Sequence, residues 1–132
     1  MARRAALSKG EMEVARVVWL LGQATVRQTH EAIPSERKMD IATVQTYLRR
    51  LDVKGYVRSS LAGHTRVYTA KVQPTTVIRE TVEDLIDRLF GGESLPLMQH
   101  LIEDRGINAD EIAQLRRLLD RLEEENDDRC GN

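Results

Sequence analysis

One junction in the sequence, between residues 41 and 70, limits most strongly how this chain can fold. Aliphatic residues recur there at spacings of three and four and predict an amphipathic helix with an inward face: Ile41, Val44, Leu48 and Leu51. Lys54-Gly55 ends that helix, because glycine readily takes the left-handed cap conformation. Two β-rich runs, "YVRSS" and "TRVYT", follow at once and flank "LAGH", in which Gly63 favours a turn. The junction therefore predicts a helix joined directly to a β-hairpin.

Capping boxes predict two earlier helices. In a capping box, the side chains of the N-cap residue and of the third helical residue each accept a hydrogen bond from the other residue's backbone N–H. "SKGE" pairs Ser8 with Glu11 and begins a first helix that Gly22 closes. "TVRQ" pairs Thr25 with Gln28 and begins a second, shorter helix. Three helices followed by a hairpin make a winged helix-turn-helix. We therefore predict a mainly α protein with a small β-hairpin wing.

The third predicted helix carries polar and cationic residues on the side that its aliphatic stripe leaves free: Thr43, Gln45, Thr46, Arg49 and Arg50. Short hydrogen-bonding groups near a helix N-terminus suit base edges in the major groove, and cations farther along suit phosphates. The helix end and the wing add further candidates: Lys54, Arg58, His64 and Arg66. These residues are the predicted DNA-binding set. A merely solvated helix face, with His64 as an exposed turn residue, is the alternative.

The charge of the chain divides at Pro74. Residues 1–73 hold 13 basic and 6 acidic side chains, whereas residues 74–132 hold 7 basic and 15 acidic ones. A basic module joined to an acidic one suggests that the first part meets a polyanion. We accordingly predict a DNA-binding domain over residues 1–73 and a separate region over residues 74–132, although solvated faces of opposite sign would give the same counts.

The region after residue 74 predicts three amphipathic helices. Gly91-Gly92 end the first, Gly106 ends the second, and an Asn108–Glu111 capping box starts the third, after which the acidic tail is expected to fray. Helices of this size expose more apolar surface than one chain can bury, so we predict a symmetric homodimer. The alternative is packing against the chain's own winged domain. The predicted dimerisation residues are Val82, Leu85, Leu89, Leu97, Leu101, Ile112, Leu115, Leu118, Leu119 and Leu122.

These motifs resemble the penicillinase-repressor and methicillin-resistance-repressor family of bacterial winged-helix regulators. Three blocks carry the resemblance along nearly all of the chain. The first comprises Leu7, Ser8, Glu11, Val14, Val18 and Trp19; the second comprises Thr43, Thr46, Arg50, Leu51, Lys54 and Gly55; the third is "LFGGESLPLMQHLIEDRGINADEIAQLRRLLDRL". The resemblance implies a cytoplasmic transcriptional repressor.

The resemblance also implies how such a repressor is released. In relatives that respond to β-lactams, a regulatory protease acts downstream of a membrane sensor and one peptide bond in the dimerisation region is cut. The equivalent bond here is His100–Leu101, although the family's Asn-Phe pair is missing at that position. An interface helix that is never cleaved is the alternative. Related copper-responsive repressors use several C-terminal cysteines, and Cys130 alone cannot form such a site.

Other classes of function find little support in the sequence. Cys130 is the only cysteine, so no internal disulfide can form, and no run of about 20 apolar residues predicts membrane insertion. No phosphate-binding glycine loop and no metal-spaced cluster is present, so we predict no enzyme activity, no cofactor and no metal. With two-fold symmetry, the expected target is double-stranded operator DNA with an inverted repeat. Two alternatives stay open: a winged-helix adaptor that binds protein rather than DNA, and a DNA-binding regulator that a small ligand releases.

Overall fold

The computed structural model describes residues 4–130, with the side chain of Cys130 left aside. The helices are α1 (Lys9–Leu21), α2 (Val26–Ala32), α3 (Ile41–Val53), α4 (Pro74–Leu89), α5 (Leu95–His100) and α6 (Ala109–Cys130). The strands are β1 (Gln23–Ala24), β2 (Val57–Ala62) and β3 (Thr65–Ala70). A 3-10 turn covers Ser35–Arg37 and a π-helical turn covers Leu101–Arg105. The mainly α class with a hairpin wing is confirmed.

The first helices begin where the sequence predicts. Both capping boxes form: Ser8 and Glu11 bond each other's backbone N–H at the start of α1, and Thr25 and Gln28 do the same at the start of α2. Gly22 ends α1 at a positive φ of 83°, a conformation that costs other residues more than it costs glycine. These ends depend on residues at most four positions apart, so local sequence is enough to place them.

The wing is a regular antiparallel hairpin. β2 pairs with β3 from Val57 opposite Ala70 to Ala62 opposite Thr65, which leaves a two-residue turn. Gly63 is the first residue of this turn and has a φ of 68°. The turns favoured in two-residue hairpins need a positive φ at that position, which glycine adopts readily. The sequence did not predict β1, whose two residues pair with β3 and extend the sheet to three strands in the order β1-β3-β2. A two-residue strand has too few residues to show alternation.

The hydrophobic core lies between α1, α3 and the sheet. Its fully buried aliphatic residues come from all three: Val14, Val18, Val44, Leu48, Leu51 and Val57. The prediction that Ile41 faces inward is wrong, because Ile41 is 46% exposed at the first position of α3, beyond the reach of the core. On α2, the polar residue Thr29 is buried, and its hydroxyl donates to the carbonyl of Thr25 at 2.8 Å.

The structure divides into two compact units between Asp84 and Leu85, within α4. The sequence placed its boundary at residue 74, at the start of that helix. The two positions differ because the first turns of α4 belong to the first unit: Val77 is buried and joins the core cluster. The functional division at residue 74 stays a prediction.

The second unit has a different character. It contains the end of α4, α5, the π-helical turn and α6, and none of residues 85–129 is buried. The Asn108–Glu111 capping box forms as predicted, with bonds of 2.9 and 3.1 Å. α6 is assigned through the acidic tail to Cys130, and fraying of that tail stays a prediction; residues 131–132 lie outside the described part of the chain.

Candidate nucleic-acid interface

The outer face of α3 is built from its first residue onward. Asp40 caps the helix by accepting the N–H of Thr43 at 2.8 Å. Because hydrogen bonds from the side chain and backbone of Thr43 favour the charged form, the pKa of Asp40 lies below its ordinary value. Core packing of the opposite stripe leaves the predicted residues outward: Gln45, Thr46, Arg49 and Arg50 are exposed, and Thr43 is half-buried. The structure thus brings these five residues onto one helix face.

The two threonines of this face, Thr43 and Thr46, differ in their hydrogen-bond partners and in their exposure. Thr46 donates its hydroxyl to the carbonyl of Ala42 at 3.0 Å, which leaves the oxygen lone pairs and the methyl group directed to the surface. Thr43 is bound to the capping carboxylate. Both oxygens keep lone pairs, and Thr46 has the more accessible acceptor for a base edge because it is exposed whereas Thr43 is half-buried.

Tyr47 supports the cationic end of this face, and the sequence analysis missed it. The guanidinium carbon of Arg50 lies 5.9 Å from the centroid of the Tyr47 ring, within cation–π range. The ring itself lies against α1, where a Cβ added to Gly10 would come within 2.4 Å of it. Gly10 thus permits the close approach that positions Tyr47 and, through it, Arg50. No spacing rule connects Gly10 to Tyr47, because they lie on different helices.

Lys54 has a structural partner that the sequence did not reveal. Its ammonium lies 2.6 Å from Oε1 of Glu11, which is 1% exposed, and 2.9 Å from the carbonyl oxygen of Ala6. Burial raises the pKa of Glu11, but hydrogen bonds from Lys54 and Ser8 outweigh it, so the pKa lies below its ordinary value. An ammonium held by a buried carboxylate is poorly placed to bind phosphate, and we remove Lys54 from the proposed DNA contacts.

The wing residues divide between the two faces of the hairpin. Residues opposite each other in an antiparallel pair share a face, and successive residues alternate. By this register Arg66, opposite Leu61, shares the face of the buried Tyr68, whereas Arg58 lies on the other face. Arg66 donates to Ser59 at 3.0 Å, and Ser59 donates to Asp52 of α3 at 2.9 Å. The structure therefore links Arg66 to α3 and separates Arg58 from it. His64 is exposed in the turn.

The predicted dimerisation residues are exposed apart from Leu97, which is half-buried. Val82, Leu85 and Leu89 lie on α4, Leu101 begins the π-helical turn, and α6 carries the remainder: Ile112, Leu115, Leu118, Leu119 and Leu122. The bond between His100 and Leu101 joins α5 to the π-helical turn, and both residues are exposed. His100 also lies 2.8 Å from Asp104.

Metal binding and membrane insertion are the remaining points. Among the residues that the structure describes, no three His, Cys, Asp or Glu side chains come together as a group that could hold a metal ion. Within residues 4–130, the helices are all too short or too polar to cross a membrane.

Comparison with known proteins identifies the family. The model for the penicillinase repressor family matches residues 7–121. The chain belongs to the penicillinase repressor family. Among its relatives, an uncharacterised 16.5 kDa protein of Latilactobacillus sakei is 28% identical, over 86% of this chain and 77% of the relative. The methicillin resistance regulatory protein MecI of Mammaliicoccus sciuri is 24% identical, over 87% of this chain and 94% of the relative.

The fold is likewise shared with a solved structure outside these relatives. A mutant MarR from E. coli superposes with a TM-score of 0.51 at 18% identity, covering 88% of this chain and 77% of MarR. That likeness concerns the fold. Membership of the penicillinase repressor family places the chain among DNA-binding transcriptional repressors, with an N-terminal winged helix-turn-helix and C-terminal helices.

Proposed function

We propose that the protein is a homodimeric repressor that reads an inverted-repeat operator through the outer face of α3 in each protomer. The observation that carries this proposal is the exposed polar and cationic face of α3: Thr43, Gln45, Thr46, Arg49 and Arg50. Its cap, its buried stripe and the Gly10–Tyr47 contact fix the helix in the fold, and an exposed helix face of this composition suits the major groove.

The homodimer is supported by the absence of buried residues among residues 85–129 of the second unit. α6 carries five Ile and Leu residues at helical spacing, each between 36% and 58% exposed, and none of residues 109–129 is buried. A second copy would cover the same stripe by two-fold symmetry. The two α3 helices of a dimer would then bind neighbouring half-sites more tightly than a single α3 binds one half-site, because the second docking step becomes intramolecular.

The test is selection of genomic DNA fragments by the purified protein, beside an Arg49→Ala, Arg50→Ala variant. The matched control is Arg105→Ala, Arg129→Ala, which removes two exposed cations from the second unit. We expect the native protein and the control to recover one inverted repeat and the α3 variant to lose it. If a folded dimer recovers no sequence at moderate salt, the proposal fails and a protein-binding adaptor becomes the better reading.

Salt dependence tests the phosphate contacts separately. Each phosphate neutralised contributes about 0.9 to the slope of log affinity against log salt concentration. With two arginines in each of two protomers, the α3 variant should show a slope shallower by up to about 3.6. An unchanged slope would show that Arg49 and Arg50 do not bind phosphate.

For release, we propose cleavage of the His100–Leu101 bond in the dimerisation region. The exposure of both residues and the change from α5 to a π-helical turn at that bond support access by a protease. Mass spectrometry of the protein from induced cells should reveal a fragment ending at His100. Intact chains alone, while the target gene is expressed, would contradict cleavage.

A second candidate for release, binding of a small ligand, is favoured by an apolar groove of about 380 Å³ within the first unit. Met12, Trp19, Val77 and Ile78 line it, and Arg16 lies at its edge. An apolar carboxylate fits that combination of surfaces. Because Trp19 is the only tryptophan, titration with aromatic and aliphatic acids should change its fluorescence and lower operator affinity together. A fluorescence change without loss of operator affinity would exclude this route.

A further inference from the structure

Three polar side chains connect the wing to the end of α3. Asp52 lies in the last turn of α3, Ser59 lies on β2 and Arg66 lies on β3. Ser59 donates its hydroxyl to Oδ2 of Asp52 at 2.9 Å, and Nη1 of Arg66 donates to the hydroxyl oxygen of Ser59 at 3.0 Å. These three residues, which we call the wing relay, form a continuous chain of hydrogen bonds within the first unit.

The direction of both hydrogen bonds depends on Asp52. A serine hydroxyl has one proton to donate and can accept hydrogen bonds at the same oxygen. Because that proton is donated to the carboxylate, the oxygen of Ser59 presents lone pairs to the guanidinium of Arg66. The bond to the carboxylate also makes this oxygen a stronger acceptor, since chained hydrogen bonds polarise one another. Asp52 thus acts on Arg66 through Ser59.

A carboxylate at position 52 is unfavourable for two other reasons. The C-terminal turn of a helix carries partial negative charge, which destabilises an anion there. An anion on the proposed reading helix also repels DNA phosphates. The relay offsets part of this cost, because it connects the carboxylate to a cation on the same face of the hairpin as Ser59.

Arg66 can take part in the relay and still bind a phosphate. Its bond to Ser59 uses Nη1, whereas Nε and Nη2 form the edge that binds two phosphate oxygens side by side. Asp52 and Ser59 are half-buried and Arg66 is exposed, so the relay runs from the fold outward to the surface. A side chain that is ordered before binding loses less rotamer freedom when the complex forms.

We infer that Asp52 and Ser59 are positioning residues that aim Arg66 at a DNA phosphate beside the half-site read by α3. The acidic residue thereby increases affinity for a polyanion, because it orders the cation that meets it. This inference rests on the proposed recognition of operator DNA by α3, and it involves residues of the first unit alone.

The experiment compares full-length variants in anisotropy titrations with the operator that the fragment selection recovers. Asp52→Ala and Ser59→Ala should each lower operator affinity about twofold, because Arg66 is no longer ordered. The control is Glu31→Ala, which removes an exposed carboxylate from α2 and should leave affinity unchanged or raise it, since one repulsive charge is lost. The effect expected at Asp52 is therefore opposite in sign to a simple charge effect. Ser59→Thr keeps the hydroxyl and should bind as tightly as the native protein.

Two further measurements separate positioning from folding. In an Arg66→Ala background, Asp52→Ala should cause no further loss, because the side chain that it positions is already gone. Methylphosphonate substitution neutralises one operator phosphate at a time. We expect one phosphate beside the half-site whose neutralisation weakens the native protein but has little effect on Arg66→Ala or Asp52→Ala. A folding defect would instead lower affinity by the same factor in both backgrounds and at every phosphate.

Four outcomes would overturn the inference. Native or higher affinity of Asp52→Ala would show a charge effect alone, and an equal loss with and without Arg66 would show that Asp52 acts independently of it. A loss in Ser59→Thr as large as in Ser59→Ala would exclude the hydroxyl. A response to exchange of A·T for G·C pairs beside the half-site, without a phosphate response, would place Arg66 in the minor groove. A native protein that selects no operator contradicts the proposed function itself, so the two failures are distinguishable.

Discussion

Helices α3 and α6 are both amphipathic, yet within the described residues only α3 buries part of its apolar face. In 13 residues α3 buries Val44, Leu48 and Leu51 against α1 and the sheet, whereas none of residues 109–129 of α6 is buried. Both sequences repeat aliphatic residues at helical spacing. Such a repeat therefore predicts an apolar face but does not say which surface covers it.

The difference also separates two sources of stability. Burial of α3 contributes to the folding of the first unit, because each fully buried aliphatic side chain is worth about 1.5–3 kcal/mol. Covering a half-exposed residue of the α6 stripe would contribute on the order of 1 kcal/mol more, and in the proposed homodimer the second copy provides that cover.

Leu48→Ala and Leu118→Ala compare the two helices directly. Leu48 is fully buried, so we expect Leu48→Ala to lower the free energy of unfolding by about 2–5 kcal/mol at every protein concentration. Leu118→Ala should weaken the dimer and lower stability only in a concentration-dependent way. Urea unfolding at several concentrations, with sedimentation, measures both. Equal effects that do not depend on concentration would show that α6 packs within its own chain.

Lys54→Met tests the buried ion pair that anchors the end of α3. Loss of the ammonium leaves the Glu11 carboxylate buried without its cation, and we expect about 2–3 kcal/mol of destabilisation, less than for a fully buried pair because Lys54 is 24% exposed. The control is Arg37→Met, which breaks a more exposed pair with Glu13 and should change stability by less than about 1 kcal/mol. Similar results for the two variants would contradict the special role of Lys54.

The pH dependence of stability follows from the same carboxylate. The pKa of Glu11 is lower in the folded chain than its ordinary value of 4.5, so its contribution is fully present above pH 4.5 and is lost as the pH falls through the folded pKa. Glu11→Gln should therefore flatten the loss of stability below pH 4.5. Thermal unfolding of both proteins between pH 3 and 7 is the measurement, and parallel curves would exclude Glu11 as the group responsible.

Gly10→Ala tests the close approach of α1 to α3. The added methyl group would meet the Tyr47 ring, and we expect a net loss of about 1 kcal/mol, since overpacking outweighs the gain in helix propensity. In a Tyr47→Leu background the same change should instead stabilise by about 0.5–1 kcal/mol. The four proteins form a double-mutant cycle in thermal unfolding. If Gly10→Ala has the same effect in both backgrounds, the contact does not constrain α1.

The smallest expected effect concerns the two arginines of the wing. Arg66 lies on the hairpin face linked to α3 and Arg58 on the other, so Arg66→Ala should lower operator affinity about threefold and Arg58→Ala less than about twofold. Anisotropy titrations at one salt concentration compare them. A larger effect at Arg58 would mean that the other face of the wing meets DNA.

Most of the secondary structure was predictable because its determinants are local. Ser8, Thr25 and Asp40 cap the backbone three positions ahead, and Gly63 permits the hairpin turn at its own position. The candidate site was only partly predictable. The outward face of α3 follows from its periodicity, whereas the partner of Lys54 lies 43 positions away and leaves no periodic signal.

Local sequence is therefore enough to set the order of helices, the wing and the polar face of α3, because caps, turns and periodicity act within a few residues. The tertiary structure alone decided that Lys54 pairs with Glu11, that Gly10 admits Tyr47, and that Arg58 and Arg66 lie on opposite faces. It also decided that none of residues 109–129 of α6 is buried. Such outcomes depend on which distant surfaces meet, and the packing of the whole chain sets that.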